Sequence, residues 1–559
     1  MRRFLLAFTT LSVTFGSVWA INVSTEPQNK KALIEEFTGI NCGNCPDGHA
    51  IAAKLQLAQP ENVYTIAIHA GHYAEPSVGQ PNFIIEEGTT INDYYGVTGY
   101  PSGMVNRRTF SGSTPIISRS YWTQSAREIC LETAIVNLAV ECQYNEFRSE
   151  YTITVAGYYT ESSTVESNNL CVALVQNNIQ GYQAGSGVSD EYMHQHMLRD
   201  YVTPTWGDPI SETSKGSYFE KTYTVTLPEA IGSANVVPAQ IEAIAFITTG
   251  EGGEILNVAS GRVNPEQFDL PLAAEISAYK IPISKNYGYG FIEMYLDNKS
   301  SQPITSATFQ VTLNGVSTNV DWSGNVPAMT KQPISIDVDW QATQTDDNAY
   351  SIALTALNGE KYSGNSFKGT FGGITEVTTS TVVKFKTDNY FSDNTFTLKD
   401  DQGNIVRTFG PYEDGVQAVY EELVTFEPNK VYCFEITDAW GNGILSPRGN
   451  IKLYDPNANL LAQNLDITNH GWRLFVKATM TSDIDDTYSS EDITISCANG
   501  AINVMSRLDC SIAIYDITGR CAYSASGVSQ ISTDTFVPGL YVVKAITPFG
   551  GKTQKIIIE

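Results

Sequence analysis

Two cysteines separated by two residues stand where the sequence pattern changes near the start of the chain. The apolar run Ala32–Phe37 predicts a strand, and Asp47–Leu57 has the apolar spacing of a helix. Between them lies Cys42-Gly43-Asn44-Cys45. A cysteine at a helix N-terminus meets free N–H groups and the positive end of the helix dipole, which lower the pKa of its thiol. The pattern therefore predicts an α/β unit and indicates thiol–disulfide chemistry.

The alternation of strands and helices continues to about residue 130. Val63–Ile68 is a nearly continuous apolar run, as expected for a strand in a buried parallel sheet. Gly99-Tyr100-Pro101 precedes a short strand at Met104–Asn106, and Ser118–Ile129 has the spacing of a closing amphipathic helix. These segments predict one α/β domain over residues 21–130.

These motifs resemble the thioredoxin superfamily over roughly residues 30–130. The resemblance implies that Cys42 is the exposed nucleophile, that Cys45 is the buried resolving partner, and that Pro101 is a cis-proline that shapes the peptide site. Thioredoxins also carry a buried acid near the strand before the motif, and Glu36 is the residue that could move a proton there. An exposed carboxylate at the strand end is the alternative for Glu36. No cofactor is predicted.

A zinc site is the alternative for the same region. His69 and His72 follow the second strand, at the sheet edge where Cys42 and Cys45 are expected. Two thiolates and two imidazoles suit tetrahedral zinc. The redox dithiol is favoured because His-x-x-His on a loop is a weak spacing signal. His49, on the first helix, is interpreted as a surface or flanking residue rather than a ligand.

Residues 131–270 change to alternating strands, which predicts a β-sandwich. Within it lies the stretch His194-Gln-His196-Met-Leu-Arg199. The α/β unit followed by this sandwich resembles the outer-membrane-protein-28-related family of secreted Bacteroidetes proteins over about residues 30–265. His194 and His196 are interpreted as polar residues of a surface loop. Cys142 and Cys171 lie on predicted strands and could form a bridge.

Two further sandwiches are predicted, over residues 271–375 and 376–482. Asn298, Gly315 and Trp322 make the first resemble immunoglobulin-like modules, and the Asp438–Gly443 loop makes the second resemble CUB-like modules. In this loop, Asp438 and Asn442 could supply oxygen ligands to calcium. An Asx-turn is the favoured interpretation, because the loop lacks the dense carboxylates of an EF-hand.

The last segment, residues 483–559, resembles the type A C-terminal sorting domain of the type IX secretion system. The resemblance rests on Asp516-Ile-Thr-Gly-Arg520, on the strand that begins Pro538-Gly-Leu-Tyr541, and on the terminal Lys555-Ile-Ile-Ile-Glu559. It implies a small β-sandwich, recognition by the type IX machinery, and export across the outer membrane. Removal of this domain would then release the protein or attach it to surface lipopolysaccharide.

Charge and the N-terminus agree with export. Residues 1–20 have the basic start, short apolar run and small-residue end of a signal peptide, and no later segment reaches the length of a membrane-spanning helix. The net charge of -26 excludes nucleic-acid binding through phosphate neutralisation. The nine cysteines are an odd number, so at least one thiol is free or pairs with another molecule.

The sequence thus predicts a multidomain exported protein, at the cell surface or secreted, with an N-terminal thioredoxin-like domain and several immunoglobulin-like β-sandwiches. Its predicted activity is thiol–disulfide exchange with protein thiols or disulfides, in the oxidase or isomerase sense, because no cytoplasmic reductant reaches the outside of the cell. The alternative is a non-enzymatic surface binding or adhesion protein in which Cys42–Cys45 is a static disulfide.

Overall fold

A computed structural model describes residues 21–279, 290–338, 348–371, 374–415, 418–444, 449–464, 467, 471–479, 493–498, 500–506, 509–547 and 550–558. The predicted signal peptide lies outside the described residues. The chain divides into two compact units, an N-terminal unit that ends at Phe268 and a C-terminal unit that begins at Asp269.

The first part of the N-terminal unit alternates strands and helices as the sequence predicts. Its elements are β1 Ala32–Thr38, α1 Cys45–Ala58, β2 Val63–His69, α2 Glu86–Tyr94, β3 Ser102–Val105, β4 Ile117–Ser118 and α3 Trp122–Cys130. Strand β1 pairs in parallel with β2 and antiparallel with β3, and β3 pairs antiparallel with β4. All residues of β1 and β2 are buried, which explains why the sequence of both strands is a nearly continuous apolar run. None of the described helices is long and apolar enough to cross a membrane.

The rest of this unit is built from strands. They are β5 Val136–Asn145, β6 Glu150–Tyr159, β7 Asn168–Gln176, β8 Ile179–Gly181, β9 Tyr192–His194, β10 Met197–Tyr201, β11 Asp208–Ile210, β12 Tyr218–Thr226, β13 Ala230–Ile231, β14 Ala234–Asn235, β15 Ile241–Thr248 and β16 Ile255–Gly261. A three-stranded sheet in the order β12-β6-β5 packs on β7 and β15, which forms a sandwich in the region predicted for one.

One sheet crosses the predicted boundary between residues 130 and 131. It has nine strands, with the path β16-β15-β7-β10-β2-β1-β3-β4 and β11 paired to β7. The link is β10, which joins β2 in parallel at Met197 and Ala67. Alternate side chains of β7 enter two cores: Cys171 packs with β1 and β2, whereas Val172 packs with β5 and β6. The α/β part and the sandwich therefore share strands within one compact unit.

A buried ion pair stands in the core that these two parts share. The Arg107 Nε and Nη2 atoms donate to the Glu35 carboxylate at 2.8 and 2.6 Å, and both side chains are at most 1% exposed. The guanidinium lies over the rings of Tyr95, Trp206 and Phe246 at 5.2 to 5.9 Å from their centroids. The charge of Glu35 is thus compensated by a bidentate partner that follows β3.

The described residues of the C-terminal unit form three two-sheet sandwiches. The first contains β17 Ala274–Ala278, β18 Phe291–Asn298, β19 Ile304–Leu313, β20 Val316–Val326, β21 Lys331–Asp337, β22 Asn348–Leu357, β23 Glu360–Lys361 and β24 Ser366–Phe371. Sheets of order β17-β18-β21 and β20-β19-β22-β23, with β24 on β22, enclose its core.

The second sandwich contains β25 Thr375–Thr378, β26 Ser380–Lys386, β27 Asn394–Lys399, β28 Ile405–Phe409, β29 Val419–Thr425, β30 Val431–Asp438, β31 Asn450–Tyr454, β32 Leu460–Asn464 and β33 Gly471–Thr479. The third contains β34 Thr494–Ala498, β35 Ala501–Met505, β36 Ser511–Asp516, β37 Cys521–Ser526, β38 Gln530–Ser532, β39 Gly539–Thr547 and β40 Gly550–Ile558. Each encloses its own hydrophobic core, so the prediction of a multidomain and mostly β-sheet protein is confirmed.

Candidate functional site

Cys42 and Cys45 are joined in a disulfide at the start of α1, with their Cα atoms 5.4 Å apart. Cys45 is 0% exposed, as expected for the resolving position. Cys42 is only 2% exposed, so the expectation of an exposed nucleophile is wrong for this conformation. Something must therefore cover the disulfide.

The cover is a short segment, Gln183–Gly185, that we call the cap. The Gln183 side-chain amide donates to the carbonyl oxygens of Gly39 at 3.2 Å and Cys42 at 3.0 Å. The Ala184 N–H donates to the Ile40 carbonyl at 2.8 Å. Gly185 has a φ of +75° and lies so close to the motif that a Cβ there would be 2.1 Å from the Gly43 carbonyl oxygen. Only glycine fits this approach.

Glu36 and Pro101 both lie against the helix face that carries Cys45. Gly48 is three residues after Cys45 and so shares its face of α1. A Cβ on Gly48 would be 2.7 Å from the Glu36 carboxylate and 3.0 Å from the Pro101 ring. The Tyr100–Pro101 bond is cis, as the sequence predicts. The structure thus brings Cys45, Glu36 and Pro101 together.

Glu36 is a buried acid and not the exposed carboxylate that was the alternative. It is 1% exposed, and its Oε1 has no hydrogen-bond partner among the described residues. Burial raises the pKa of this carboxyl well above its usual value, and the charge of Arg119 offsets only part of that rise. Burial therefore favours the protonated form of this side chain over the carboxylate.

A cluster of buried histidines lies beside Glu36, and the sequence interpretation missed it. The His49 Nε2 is 2.7 Å from the Thr38 hydroxyl and 3.8 Å from Glu36 Oε1, while Nδ1 is 2.8 Å from the Tyr192 hydroxyl. The His194 ring lies 6.4 Å from the His49 ring. His194 is therefore not the surface-loop residue that was expected, because it is buried, and His49 is only 15% exposed.

Burial keeps these imidazoles neutral. It lowers the pKa of His49 to about 3 and that of His194 to about 4. His69, whose ring is 5.2 Å from that of His194, has a pKa well below its ordinary value for the same reason. Repulsion from His194 also lowers the pKa of His49 and of His69. His196 is half-buried, its backbone N–H bonds Asn177, and burial lowers its pKa as well.

The zinc alternative is wrong. Cys42 and Cys45 form a disulfide, His69 packs against Phe83, and His72 is exposed and stacks on Tyr73. Across the part of the chain that the structure describes, no group of three or more His, Cys, Asp or Glu side chains is arranged to hold a metal ion. Cys142 and Cys171 are both free, so the bridge considered for them is not formed.

The Asp438 carboxylate forms hydrogen bonds within its own loop. Asp438 is buried and accepts from the Trp440 N–H at 2.8 Å and from the Gly443 N–H, which is an Asx-turn arrangement. Burial raises its pKa to about 6. Asn442 is half-buried in the same loop. Calcium binding by Asp438 and Asn442 stays a prediction.

The buried histidines predict acid lability of the N-terminal unit. Their folded pKa values lie below the ordinary value of 6.5, so the unfolded chain binds more protons as the pH falls below 6.5. The contribution of each neutral histidine to the free energy of unfolding is complete above pH 6.5. Below that pH each contribution falls by about 1.4 kcal/mol per pH unit. Glu36 acts in the opposite sense: its contribution is complete below pH 4.5 and is lost as the pH rises toward its folded pKa. As the pH falls, the stability gained from Glu36 therefore offsets the loss from about one histidine.

This pH dependence can be measured by urea unfolding of the full chain at pH 7.5 and 5.5, with pulse labelling of the buried Cys171 thiol as the local probe. His49→Gln should reduce the loss between the two pH values by about 1.4 kcal/mol. An unchanged difference in the variant would contradict the assignment of a neutral, buried His49.

A family model described as outer membrane protein Omp28 matches residues 88–267. This part of the chain is similar to Omp28. The match includes Pro101, the cap, Tyr192 and His194, but it begins after Cys42 and Cys45. It supports the predicted localisation at the outer membrane or cell surface. No curated protein sequence matches the chain.

Solved structures give weak likenesses. HBP35 of Porphyromonas gingivalis is 16% identical over 62% of this chain and 99% of its own, with a TM-score of 0.35. A domain of the outer membrane lipoprotein Omp28 from Porphyromonas gingivalis is 18% identical over 23% of this chain and 89% of its own, with a TM-score of 0.17. The BSP domain of a biofilm associated protein is 10% identical over 75% and 95%, with a TM-score of 0.13. TM-scores this low do not establish a fold shared with this chain.

Proposed function

We propose that this chain is a cell-surface thioredoxin-like protein whose Cys42–Cys45 disulfide exchanges with protein thiols, in the oxidase or isomerase sense. The observation that carries the proposal is the group of side chains around Gly48. A disulfide at a helix N-terminus has a buried acid with a raised pKa, Glu36, and the ring of Pro101 on the face of its resolving cysteine. The sheet order β2-β1-β3-β4 around this helix supports the thioredoxin-like interpretation.

The exchange follows from these positions. A substrate thiolate attacks Cys42 Sγ, the bond between Cys42 and Cys45 breaks, and Cys45 leaves with the electron pair and takes a proton. A second substrate thiol then displaces Cys42, which yields a substrate disulfide and the Cys42/Cys45 dithiol. In the isomerase sense, the reduced Cys42 thiolate attacks a substrate disulfide and releases one substrate thiol, and a different substrate thiol then displaces Cys42, so that a new substrate disulfide forms and no net oxidant is consumed.

A static disulfide is the second candidate, and the burial of Cys42 favours it. In that case the cap is permanent, and the sandwiches of the chain bind a protein or glycan at the surface. The two candidates differ in whether the capped disulfide ever meets a substrate thiol.

The test uses the full chain, with a reduced protein substrate for wild type and a disulfide-containing protein substrate for the cysteine variants. In Cys45→Ser the free Cys42 thiolate should attack the substrate disulfide and accumulate a mixed disulfide, because the resolving thiol is absent, and Cys42→Ser should not. Wild type should oxidise or reshuffle the substrate, which can be followed by non-reducing gels and mass spectrometry. A disulfide that stays intact in wild type, with no mixed disulfide in Cys45→Ser, would leave only the static candidate.

We also propose that residues 483–559 are a type IX sorting domain. Two of the three resemblance segments are neighbours in the structure: the strand that begins at Gly539 pairs antiparallel with the strand Gly550–Ile558, with Tyr541 opposite Ile556. Part of the segment lies outside the described residues. The mass of the mature surface protein tests this proposal, since an intact C-terminus would contradict removal of the domain.

A further inference from the structure

The buried acid of the site needs a route for its proton. Glu36 lies inside the N-terminal unit with no hydrogen-bond partner at Oε1 among the described residues. When Cys45 leaves as a thiolate and takes the Glu36 proton, a carboxylate remains in a buried place, where it is strongly disfavoured. Turnover then requires that a proton return to Glu36 from outside.

His49 and Tyr192 extend in series from Glu36. His49 Nε2 is 3.8 Å from Glu36 Oε1, and its Nδ1 is 2.8 Å from the Tyr192 hydroxyl. Glu36 is buried, whereas His49 and Tyr192 are only half-buried, so the series connects the buried acid with partly exposed side chains. Thr38, at 2.7 Å from Nε2, holds the imidazole in this orientation.

We propose that Tyr192 and His49 form a proton path between solvent and Glu36. The inference rests on the proposed exchange function for its use, but the path is a property of the folded chain. Tyr192 donates its proton to Nδ1 while Nε2–H passes its proton to Glu36, and the tyrosine hydroxyl regains a proton from solvent. The imidazole stays neutral and ends with its proton on Nδ1. When Cys45 re-forms the disulfide, Glu36 first returns a proton to Nε2 and Nδ1 returns one to Tyr192, so the starting tautomer is restored and protons and charge balance over the full cycle.

The charged and titratable groups around the path agree with this role. Glu36 faces Arg119 from the turn after β4, His49 from α1 and Tyr192 from β9. His49 also faces His194, and together with burial this neighbour disfavours an imidazolium. Burial and the charge of Glu36 raise the pKa of Tyr192 to about 12, so its hydroxyl keeps its proton at neutral pH. Each member is therefore in the form that the transfer needs.

Tyr192 is a relay residue contributed by a distant part of the chain. It lies 143 residues after His49 and belongs to β9, which pairs with β8 beside the cap. The segment that covers the disulfide and the segment that carries the proton are thus continuous. This arrangement makes residues 179–194 part of the redox centre rather than part of the sandwich alone.

The first measurement tests proton transfer to Glu36 without any thiol chemistry. The infrared band of the protonated Glu36 carboxyl is identified in the full chain by difference from Glu36→Gln, and its shift is followed after rapid transfer into deuterium oxide. Tyr192→Phe keeps the ring, which packs 4.9 Å from that of His194, and removes the hydroxyl. We expect the shift to slow by at least about tenfold, since general acid–base steps commonly contribute a hundredfold or more. His49→Gln should slow it similarly.

Tyr182→Phe is the matched control, because it removes a hydroxyl from the same segment, and Tyr182 meets the cluster through its backbone carbonyl, which bonds His194. Equal shift rates in wild type and Tyr192→Phe would overturn the path. The second measurement is the rate at which glutathione opens the Cys42–Cys45 disulfide across pH. Slower opening in Tyr192→Phe than in Tyr182→Phe supports the path in its redox use. If the Glu36 band shift is slowed in Tyr192→Phe but glutathione does not reduce the Cys42–Cys45 disulfide, the proton path is supported and the exchange function is overturned.

Discussion

Replacing Arg107 with methionine should lower the free energy of unfolding of the N-terminal unit by about 3–5 kcal/mol at neutral pH. Methionine keeps most of the apolar volume under Tyr95, Trp206 and Phe246, but it leaves Glu35 without its bidentate partner. A carboxylate that is 0% exposed then has no compensating charge. The change is measured by urea unfolding of the full chain with pulse labelling of Cys171.

Two controls separate the lost charge pair from lost packing. In the double variant Arg107→Met with Glu35→Leu, most of the loss should return, because apolar replacement of a whole buried pair is often neutral or stabilising. Arg148→Met removes one partner of an exposed pair, Arg148 with Glu150, and should change little. If the double variant is as unstable as the single one, packing and not the unpaired charge explains the effect.

Gly185→Ala should speed reduction of the Cys42–Cys45 disulfide by about a hundredfold. The new Cβ would lie 2.1 Å from the Gly43 carbonyl oxygen, so the cap cannot close over the motif. Three hydrogen bonds hold the cap, at about 1 kcal/mol each, and each 1.4 kcal/mol is tenfold in an equilibrium. The rate is measured on the full chain with dithiothreitol, alkylation of the released thiols and mass spectrometry.

The same loop offers a matched control in Gly187→Ala. Gly187 also has a positive φ, +79°, but a Cβ there meets nothing within 4 Å. It therefore carries the same backbone penalty without the clash, and reduction should stay close to the wild-type rate. Equal acceleration in both variants would mean that loop strain, and not contact with Gly43, controls access. No acceleration in Gly185→Ala would mean that the cap does not limit reduction.

The local pattern of the sequence was sufficient for the elements of the site. Apolar runs predicted β1 and β2, helical spacing after Cys45 predicted α1, and Pro101 was predicted as a cis-proline. These features are encoded within a few residues by periodicity and by proline geometry. Glu36 could be named from its position but not assigned as buried, because burial depends on what packs over the strand.

The surroundings of the site could not be predicted in the same way. Gln183 and Gly185 lie in a stretch with no periodic pattern, and the His194 region was interpreted as a surface loop. Their placement follows from β10, which pairs in parallel with β2 and brings this segment back over α1. A pairing between strands more than a hundred residues apart has no local sequence signal.

The sequence by itself therefore determined a Cys-x-x-Cys dithiol at a helix N-terminus, because strand, motif and helix are local patterns. Only the tertiary structure decided that this disulfide is capped and that its acid lies beside a His49–Tyr192 pair. Both outcomes depend on long-range strand pairing and on burial, which fix the access and the pKa values of groups that are far apart along the chain.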